Sequence, residues 1–319
     1  MKVSFFDDHP KPADIRAEVL TGLALPEKKI PPKFFYDEPG SRLFDAICEL
    51  PEYYPTRTEI SILRQYGAEM AELLGHEVVL IELGSGSSLK IRTLLEALRP
   101  RVYIPVDISR EHLLRSAENL AAAFPEIEVR AACADYSRPF RLPLCEEDQP
   151  RAAFFPGSSV GNFEPADAEA FLRRVGDILG PGGHLLIGVD LRKSEDILHA
   201  AYNDAAGVTA DFNLNLLTRI NRELDGTFDP AAFHHSAFFN PHDSRIEMHL
   251  VSNAPQDVEV AGETFHLTEG ESIHTECSYK YSIADFHALA SRAGFEPVRV
   301  WTDDSQLFSV HGLRRRADI

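Results

Sequence analysis

The sequence predicts an α/β fold, a doubly wound parallel sheet with helices on both faces, and a second lobe formed by the two ends of the chain. Three observations lead to this prediction. Apolar runs of strand length alternate with helical periodicity between residues 59 and 192. The segment Glu82-Leu83-Gly84-Ser85-Gly86 follows the first buried run, where open α/β sheets bind ligands. Outside residues 59 to 192 this alternation stops.

The alternating region can be divided into elements in chain order. A helix is expected over residues 59 to 74, because Ile60, Ile62, Leu63 and Tyr66 recur toward one face. The segment Pro181-Gly182-Gly183 ends the last helix. The other expected elements are a strand at 78 to 83, a helix at 89 to 98, a strand at 102 to 106, a helix at 110 to 124, a strand at 127 to 132, an acidic loop at 138 to 150, a strand at 152 to 155, a helix at 165 to 179 and a strand at 184 to 189.

The ends of the chain have a different pattern. Residues 1 to 58 are rich in proline and aromatic residues, which makes long regular elements unexpected there. After residue 190, a helical stretch at 194 to 224 precedes strand-like runs at 245 to 252 and 272 to 281. We therefore expect one domain at 59 to 192 and a substrate-recognition lobe made of residues 1 to 58 and 193 to 319, over the carboxyl edge of the sheet.

The glycine turn and a downstream acid predict the cofactor. Asp107 closes the second apolar run, at the spacing where a carboxylate accepts ribose hydroxyls. A dinucleotide turn would need a third glycine where Leu89 stands, and Glu82 places a negative charge before the turn. S-adenosyl-L-methionine carries a sulfonium cation and no phosphate. The turn therefore favours a Rossmann-like methyltransferase over a dehydrogenase.

Composition excludes several classes of function. The chain has 319 residues, a formal charge of −18 and a pI near 5.1, which argues against binding nucleic acid. No apolar run approaches the length of a membrane span, so we expect a cytoplasmic protein. We also expect a monomer. The scattered residues Cys48, Cys133, Cys145 and Cys277 predict reduced thiols, and the histidines show no H-E-x-x-H spacing, so no metal catalysis is expected.

Two further segments carry polar groups in strand or turn settings. Asn162 follows a buried strand and offers a donor and an acceptor, although a turn-forming role is equally compatible with the sequence. Glu276 and Ser278 share one face of a strand, and Met248 lies on a possible neighbour. Together they could recognise a small nitrogenous group such as imidazole. A solvated strand face is the competing interpretation.

Longer motifs identify a family. Residues 31 to 45 and 50 to 59 resemble the signature of the histidine-specific Nα-methyltransferases of ergothioneine biosynthesis. The segments Gly84-Ser85-Gly86, Gly161-Asn162-Phe163 and 201 to 204, and the segment 275 to 278, resemble the same family. The similarity extends over nearly the whole chain. It implies transfer of three methyl groups from S-adenosylmethionine to the α-amine of L-histidine, which gives hercynine.

The resemblance also implies roles for individual residues. Tyr36 would lie close to the α-amine, with Asn162 and Tyr202 on the carboxylate, and Tyr36 and Asn162 are the expected catalytic residues. Phe44, Tyr53 and Phe163 would line the space for the growing ammonium, which cation–π attraction favours. Met248 would shape the imidazole pocket, and Glu276 and Ser278 would bind the ring. The expected cofactor-binding residues are Gly84, Ser85, Gly86, Lys90, Asp107, Asp135 and Tyr136.

Three alternatives remain open from sequence. The chain could methylate tryptophan or another amino acid, and Glu276 is the residue that discriminates against this, since a carboxylate pairs with imidazole N–H groups. It could be a non-catalytic binding protein that keeps the cofactor fold. A nicotinamide-dependent oxidoreductase is the third alternative.

Overall fold

The structure is a computed structural model that describes residues 3–8, 12–86, 89–140, 142–143 and 149–317. Cys145 and most of the expected acidic loop lie outside the described residues. The elements in chain order are β1 Ser4–Asp8, α1 Pro12–Leu23, β2 Lys28–Lys29, α2 Glu38–Glu49, α3 Tyr54–Leu74, β3 Val79–Leu83, α4 Leu89–Leu98, β4 Val102–Asp107, α5 Arg110–Ala123, β5 Glu128–Ala134, β6 Arg151–Phe155, α6 Pro165–Leu179, β7 His184–Asp190, α7 Glu195–Tyr202, α8 Val208–Leu224, β8 Phe233–Asn240, β9 Arg245–Ser252, β10 Gln256–Val260, β11 Glu263–Leu267, β12 Ser272–Tyr279, α9 Ile283–Arg292, β13 Phe295–Thr302 and β14 Phe308–Arg315.

The chain divides into two compact units. The first unit comprises Met1–His9, Pro55–Arg192 and Tyr279–Ile319, and the second comprises Pro10–Tyr54 and Lys193–Ser278. This division differs from the expected domain boundaries chiefly in residues 279 to 319. These residues carry β13 and β14, which are hydrogen-bonded into the large sheet rather than belonging to the second unit.

An eight-stranded sheet forms the centre of the first unit, with the strand order β1-β5-β4-β3-β6-β7-β14-β13 among the described residues. The strands β3, β4, β5, β6 and β7 run parallel, as expected for residues 59 to 192. Three strands from outside that range join them: β1 is parallel to β5, β14 is antiparallel to β7 and β13 is antiparallel to β14. The whole sheet is therefore mixed. The final antiparallel pair follows α9 at the end of the chain, beyond the region in which strands and helices alternate.

Burial explains why these segments form strands and helices. All residues of β3 are buried, as in a sheet that helices cover on both faces. Helix α4 buries Ile91, Leu94, Leu95 and Leu98, the spacing of one helical face. These residues join side chains of α3 and α5 in one apolar core. The predicted elements between residues 59 and 190 are confirmed, with α3 beginning earlier, at Tyr54.

The second unit contains a four-stranded sheet of order β2-β12-β9-β8 and the hairpin β10-β11. Helix α8 buries Phe212, Leu216, Leu217 and Ile220. The helical stretch expected over 194 to 224 is two helices, α7 and α8, because Asp204 accepts hydrogen bonds from the backbone of Val208 and Thr209 and so begins a new helix. The interruption separates Tyr202 from α8.

The proline-rich N-terminal segment contains two helices, α1 and α2, of 12 residues each. The expectation that this segment would lack long regular elements was therefore wrong. In α2, Pro39 lies in the first turn, where its missing N–H costs nothing, and the Asp37 side chain caps the helix by accepting from the Gly40 amide at 2.8 Å. Proline here starts a helix rather than breaking one.

Two smaller expectations concern membranes and cysteines. Within the described ranges, no helix is both long and apolar enough to cross a membrane. Cys48, Cys133 and Cys277 are free thiols, as expected.

Candidate active site

The glycine turn of the first unit follows β3 directly. Gly84 and Gly86 have φ values of +70° and +37°, a region that glycine adopts without strain. The turn is fastened to the next strand, because the backbone amides of Gly84 and Ser85 both donate to the carbonyl of Val106, at 2.8 and 3.1 Å. A Cβ atom on Gly84 would lie 3.3 Å from the hydroxyl of Tyr136, so the turn passes close to that side chain.

Asp107, at the end of β4, is held by the same turn. Its Oδ2 accepts from the Gly86 amide at 3.1 Å and its Oδ1 accepts from the Ser109 amide at 2.8 Å. Burial raises the pKa of Asp107, and these backbone hydrogen bonds partly offset the rise. Each carboxylate oxygen has more than one lone pair, so both retain capacity to accept a ligand hydroxyl.

Glu82, which the sequence analysis took as a negative charge before the turn, is buried. Its carboxylate accepts a hydrogen bond from the hydroxyl of Tyr103. Burial raises the pKa of Glu82 well above its ordinary value, although the Tyr103 hydrogen bond and the charge of Lys90 oppose this. Through Tyr103, Glu82 links β3 to β4.

Asp135 and Tyr136 follow β5, at the same carboxyl edge as Gly84 and Asp107. The Oδ1 of Asp135 accepts from the backbone amide of Ser137 at 3.0 Å and from its hydroxyl at 2.5 Å. The Tyr136 ring packs edge-on against Phe155, with centroids 5.6 Å apart. The expected cofactor residues on β3, β4 and β5 are therefore brought together along one sheet edge.

Lys90 has an acidic neighbour that the sequence argument missed. Its Nζ lies 2.8 Å from Oε2 of Glu59, whose side chain is 0% exposed. The same oxygen accepts from the Gly157 amide at 2.9 Å. The other oxygen, Oε1, has no hydrogen-bond partner among the residues that the structure describes. Glu59 ends the N-terminal motif of residues 50 to 59, which was the available signal for its importance.

Asn162 ends a short 3₁₀ turn, Ser159–Asn162, in the loop after β6. Ser158 and Gly161 fix the conformation of this loop. Ser158 has a φ of +58° and its hydroxyl accepts from the Asp190 amide at 2.8 Å. A Cβ atom on Gly161 would lie 2.8 Å from the carbonyl oxygen of Tyr279, so only glycine fits. Phe163, expected to line the methyl space, stacks on Phe171 of α6 with centroids 5.0 Å apart.

Three features of the first unit fit an adenosine cofactor that has no pyrophosphate. The turn at Gly84 and Gly86 offers a concave backbone, and Asp107 lies beside it with two oriented oxygens. Within the described part of the chain, the buried hydroxyl of Ser85 has no hydrogen-bond partner, an unmet polar group that a ligand in the turn can satisfy. These residues fit S-adenosylmethionine.

An aromatic cluster in the second unit contains the other expected site residues. The Tyr36 and Phe44 rings meet edge-on at 5.7 Å, and Phe44 meets Tyr53 at 6.3 Å. Tyr53 in turn lies 6.5 Å from Tyr202. Phe212 of α8, which sequence reasoning missed, contacts both Tyr36 and Phe44, at 5.9 and 6.0 Å. We call these five residues the aromatic cluster.

The hydroxyl of Tyr53 stays protonated at neutral pH. Burial, and then the neighbouring Tyr202, Cys48, Tyr36 and Glu276, raise its pKa well above the ordinary value of 10. Tyr53 is therefore a hydrogen-bond donor rather than a base. The influence of Glu276 also shows that this carboxylate acts on the cluster.

The polar end of the cluster lies on β12 and α7. The Tyr202 hydroxyl donates to Oγ of Ser278 at 2.8 Å. Met248 lies on β9, the strand next to β12, as expected, and its backbone carbonyl accepts from the Thr275 hydroxyl at 3.0 Å. Sequence reasoning thus found Tyr36, Phe44, Tyr53, Tyr202 and the β12 residues within one compact unit.

Asn213 of α8 connects these elements and was not singled out from sequence. It is 0% exposed, accepts from Thr275 at 2.8 Å and donates to the His249 carbonyl at 3.0 Å. Its Nδ2 also lies 2.9 Å from Nδ1 of His235, whose Nε2 lies 2.9 Å from the Tyr202 carbonyl. The available sequence signal for Asn213 was its position, a polar residue next to Phe212 on the apolar face of a helix.

Asp37 fixes the backbone next to Tyr36. Besides capping α2, its carboxylate accepts from Nδ2 of Asn215 at 2.9 Å and pairs with Arg222 at 2.7 Å. Both partners lie on α8. The backbone next to Tyr36 is therefore held by the side chains of Asp37, Asn215 and Arg222.

Comparisons with known proteins agree with this arrangement. The model of the family "Histidine-specific methyltransferase, SAM-dependent" matches residues 15–315. The chain is 42% identical over 302 residues to the histidine N-alpha-methyltransferase of Mycolicibacterium smegmatis, covering 93% of each chain, and 40% identical over the same length and coverage to that of Mycobacterium tuberculosis. A solved structure of a putative methyltransferase from Thermobifida fusca shares the fold, with a TM-score of 0.50 and 15% identity over 93% of this chain and 98% of that one. The chain therefore belongs to the S-adenosylmethionine-dependent, histidine-specific methyltransferases.

Proposed function

We propose that this protein transfers three methyl groups from S-adenosylmethionine to the α-amine of L-histidine and so forms hercynine, the betaine of ergothioneine biosynthesis. The aromatic cluster of the second unit is the observation that carries the proposal. Its five rings form a continuous series of ring contacts that runs from Tyr36 and Phe212 through Phe44 and Tyr53 to Tyr202. Aromatic faces bind quaternary ammonium groups, and hercynine carries one.

The polar end of the cluster supports histidine as the amino acid. Glu276 is a carboxylate that can accept an imidazole N–H, and Ser278 carries a hydroxyl already ordered by Tyr202. Met248, a buried residue of β9, is proposed to limit the volume of the imidazole pocket. A larger indole ring has one N–H and no second ring nitrogen, so it would leave part of this polar surface unsatisfied. The assignment of Asn162 to the substrate carboxylate stays a prediction from the family resemblance.

On the cofactor side, Asp107 is assigned to the ribose hydroxyls, and Gly84, Ser85 and Gly86 to the backbone cradle. Asp135 and Tyr136 lie along the same edge and complete this set. Lys90 is a cation close to this edge and is proposed to bind the carboxylate of the cofactor's methionine part, because opposite charges attract. S-adenosylmethionine supplies an electrophilic methyl group on its sulfonium.

The protein's contribution to the reaction is orientation and exclusion of water. The amine nitrogen needs its lone pair, and a free α-amine with a pKa of about 8 requires only a modest shift to provide it. Tyr53 holds its proton at neutral pH and so orients the substrate as a hydrogen-bond donor. Tyr36 is proposed to contact the α-amine. The apolar rings take the place of water around the nitrogen as its methyl groups accumulate.

Mass spectrometry with several amino acids tests the proposal. The purified protein is incubated with S-adenosylmethionine and, separately, histidine, tryptophan or phenylalanine. We expect histidine alone to gain three methyl groups. Methylation of tryptophan in preference to histidine would contradict the assignment of Glu276 and Met248. No product from any of the three would favour a binding protein that keeps the cofactor fold.

A further inference from the structure

A second group of chemically reactive side chains lies on the four-stranded sheet of the second unit. Glu247 and His249 lie two residues apart on β9 and so share one face of the strand. His274 lies on the neighbouring strand β12. One donor atom from each lies within 4.8 Å of the other two. The His249 and His274 rings stack, with centroids 4.7 Å apart and planes 16° from parallel. None of these residues has a part in the proposed methyl transfer.

Hydrogen bonds orient the Glu247 carboxylate toward the two histidines. Its Oε1 accepts from Nδ2 of Asn240 at 2.9 Å and from Nε of Arg245 at 2.8 Å. Its Oε2 lies 3.1 Å from Nε2 of His249. One carboxylate oxygen is thus held by Asn240 and Arg245, and the other is presented to the imidazoles.

The two imidazoles are also oriented by their second ring nitrogens. Nδ1 of His249 lies 3.2 Å from the Ser272 hydroxyl, which can donate or accept. Nε2 of His274 lies 2.9 Å from the carbonyl oxygen of Glu276 and must carry the proton, which leaves a lone pair on Nδ1. Ligand histidines in metal sites are held in this way.

We propose that Glu247, His249 and His274 form a binding site for a divalent transition-metal ion of the zinc type. Two imidazole nitrogens and a carboxylate oxygen are a donor set that zinc accepts, with water completing the tetrahedron. The donors of a filled tetrahedral site are about 3.4 Å apart, so the side chains close by about 1 Å on binding. Side-chain exposures of 15% for His249 and 11% for Glu247 leave the site reachable from solvent.

Sequence analysis did not single out this cluster, because the histidines lack the H-E-x-x-H spacing that places two ligands on one helix. Here two ligands are two residues apart on the strand β9, and the third lies on the neighbouring strand β12.

Isothermal titration of the metal-free, tag-free full chain with ZnCl₂ tests the proposal, with MgCl₂ as the comparison ion. We expect one Zn²⁺ per chain and no comparable Mg²⁺ binding. Glu247→Gln and His274→Asn should each weaken Zn²⁺ binding by at least about tenfold. His242→Ala is the matched control, because His242 is a 94% exposed neighbour of Asp243 in the turn before β9 and should change nothing.

A milder variant protects the test against misfolding. Ser272→Ala removes only the hydroxyl that orients His249, and it should weaken Zn²⁺ binding by about tenfold while circular dichroism stays unchanged. Equal Zn²⁺ affinity in the wild type and in both Glu247→Gln and Ser272→Ala would overturn the proposal. So would the absence of Zn²⁺ binding by the wild type.

Discussion

The two units present different kinds of chemical groups. The first unit offers mainly backbone: a glycine turn, amides fastened to the Val106 carbonyl and an aspartate oriented by main-chain N–H groups. The second unit offers side chains from distant segments, with Tyr36, Tyr53, Tyr202 and Phe212 in one aromatic cluster. A backbone site depends on a few positions close in sequence, whereas a side-chain site depends on the whole packing of its unit.

This difference indicates which side chains are critical in each unit. In the first unit, the critical side chains are those that hold the backbone in place, such as Glu59. In the second unit, the critical side chains are those that would contact the substrate, and each can be replaced with little change to the fold. The predictions below test this difference between the two units and are given in order of decreasing expected effect.

Glu59→Ala should have the largest effect, and it should act on stability. It leaves Lys90 as a charge 13% exposed with its partner removed, and it takes away the acceptor of the Gly157 amide. Breaking a buried ion pair costs about 3–5 kcal/mol. Urea denaturation measures the loss. Glu296→Ala, which breaks an exposed pair with Arg314, is the control and should leave the midpoint unchanged. A loss as small as the control's would contradict the role given to Glu59.

Glu276→Ala should affect substrate binding in the second unit but not the cofactor. A hydrogen bond to a charged group contributes about 1.5–3 kcal/mol, so the KM for histidine should rise about 10- to 100-fold. The Kd for S-adenosylhomocysteine should stay unchanged by calorimetry. Glu263→Ala is the control, because Glu263 is an exposed residue at the start of β11. Equal losses for histidine and the cofactor product would count against Glu276 as the imidazole-binding residue.

Tyr202→Phe should have a smaller effect of the same kind. It removes the donor to Ser278 but keeps the ring beside Tyr53. A neutral hydrogen bond contributes about 1 kcal/mol, which corresponds to a rise in KM for histidine of about fivefold. Steady-state kinetics measure it. Tyr66→Phe, in the first unit, should leave KM at the wild-type value, and an equal rise in both variants would argue for a general packing effect.

The smallest expected effect is a pH dependence that both units share. Burial lowers the pKa of His311 to about 3 and that of His274 to about 4, whereas an unfolded histidine titrates near 6.5. Both contributions to stability are complete above pH 6.5 and decrease as the pH falls below it, because the unfolded chain binds the proton first. His311→Gln and His274→Gln should each reduce the fall in urea midpoint between about pH 7 and about pH 5, measured in EDTA. An unchanged fall in both would contradict these pKa shifts.

The sequence predicted the first unit better than the second, for physical reasons. Buried strands such as β3 and helices such as α4 can be predicted from local hydrophobic patterns. The glycine turn can be predicted from its residues, Gly84-Ser85-Gly86. The N-terminal helix α2 was missed because the prolines of its segment were taken as helix breakers, although Asp37 and Pro39 are local signals of a helix start. The bonds of Asp37 to Asn215 and Arg222 of α8 have no local signal. The strands β13 and β14 join the sheet through long-range pairing that no local pattern encodes.

The candidate site divides in the same way. Gly84, Asp107, Glu276 and Ser278 could be singled out from local patterns, but Tyr36, Phe44, Tyr53 and Tyr202 were identified through the family resemblance. Phe212, Asn213 and Glu59 were missed, because a residue inside a helix gives no sign of the contacts it makes with distant segments. The burial of Glu82 against Tyr103, which raises the pKa of its carboxyl group, is not visible in the sequence either.

The position and number of the transferred methyl groups test the central claim most directly. The protein is incubated with L-histidine and S-adenosylmethionine labelled with ¹³C in its methyl group, and the product is observed by NMR. We expect one ¹³C methyl resonance with the shift of a trimethylammonium group on Cα, and three labels in each product molecule. Labels on an imidazole nitrogen, or a product that keeps an α-amine hydrogen at completion, would contradict the account.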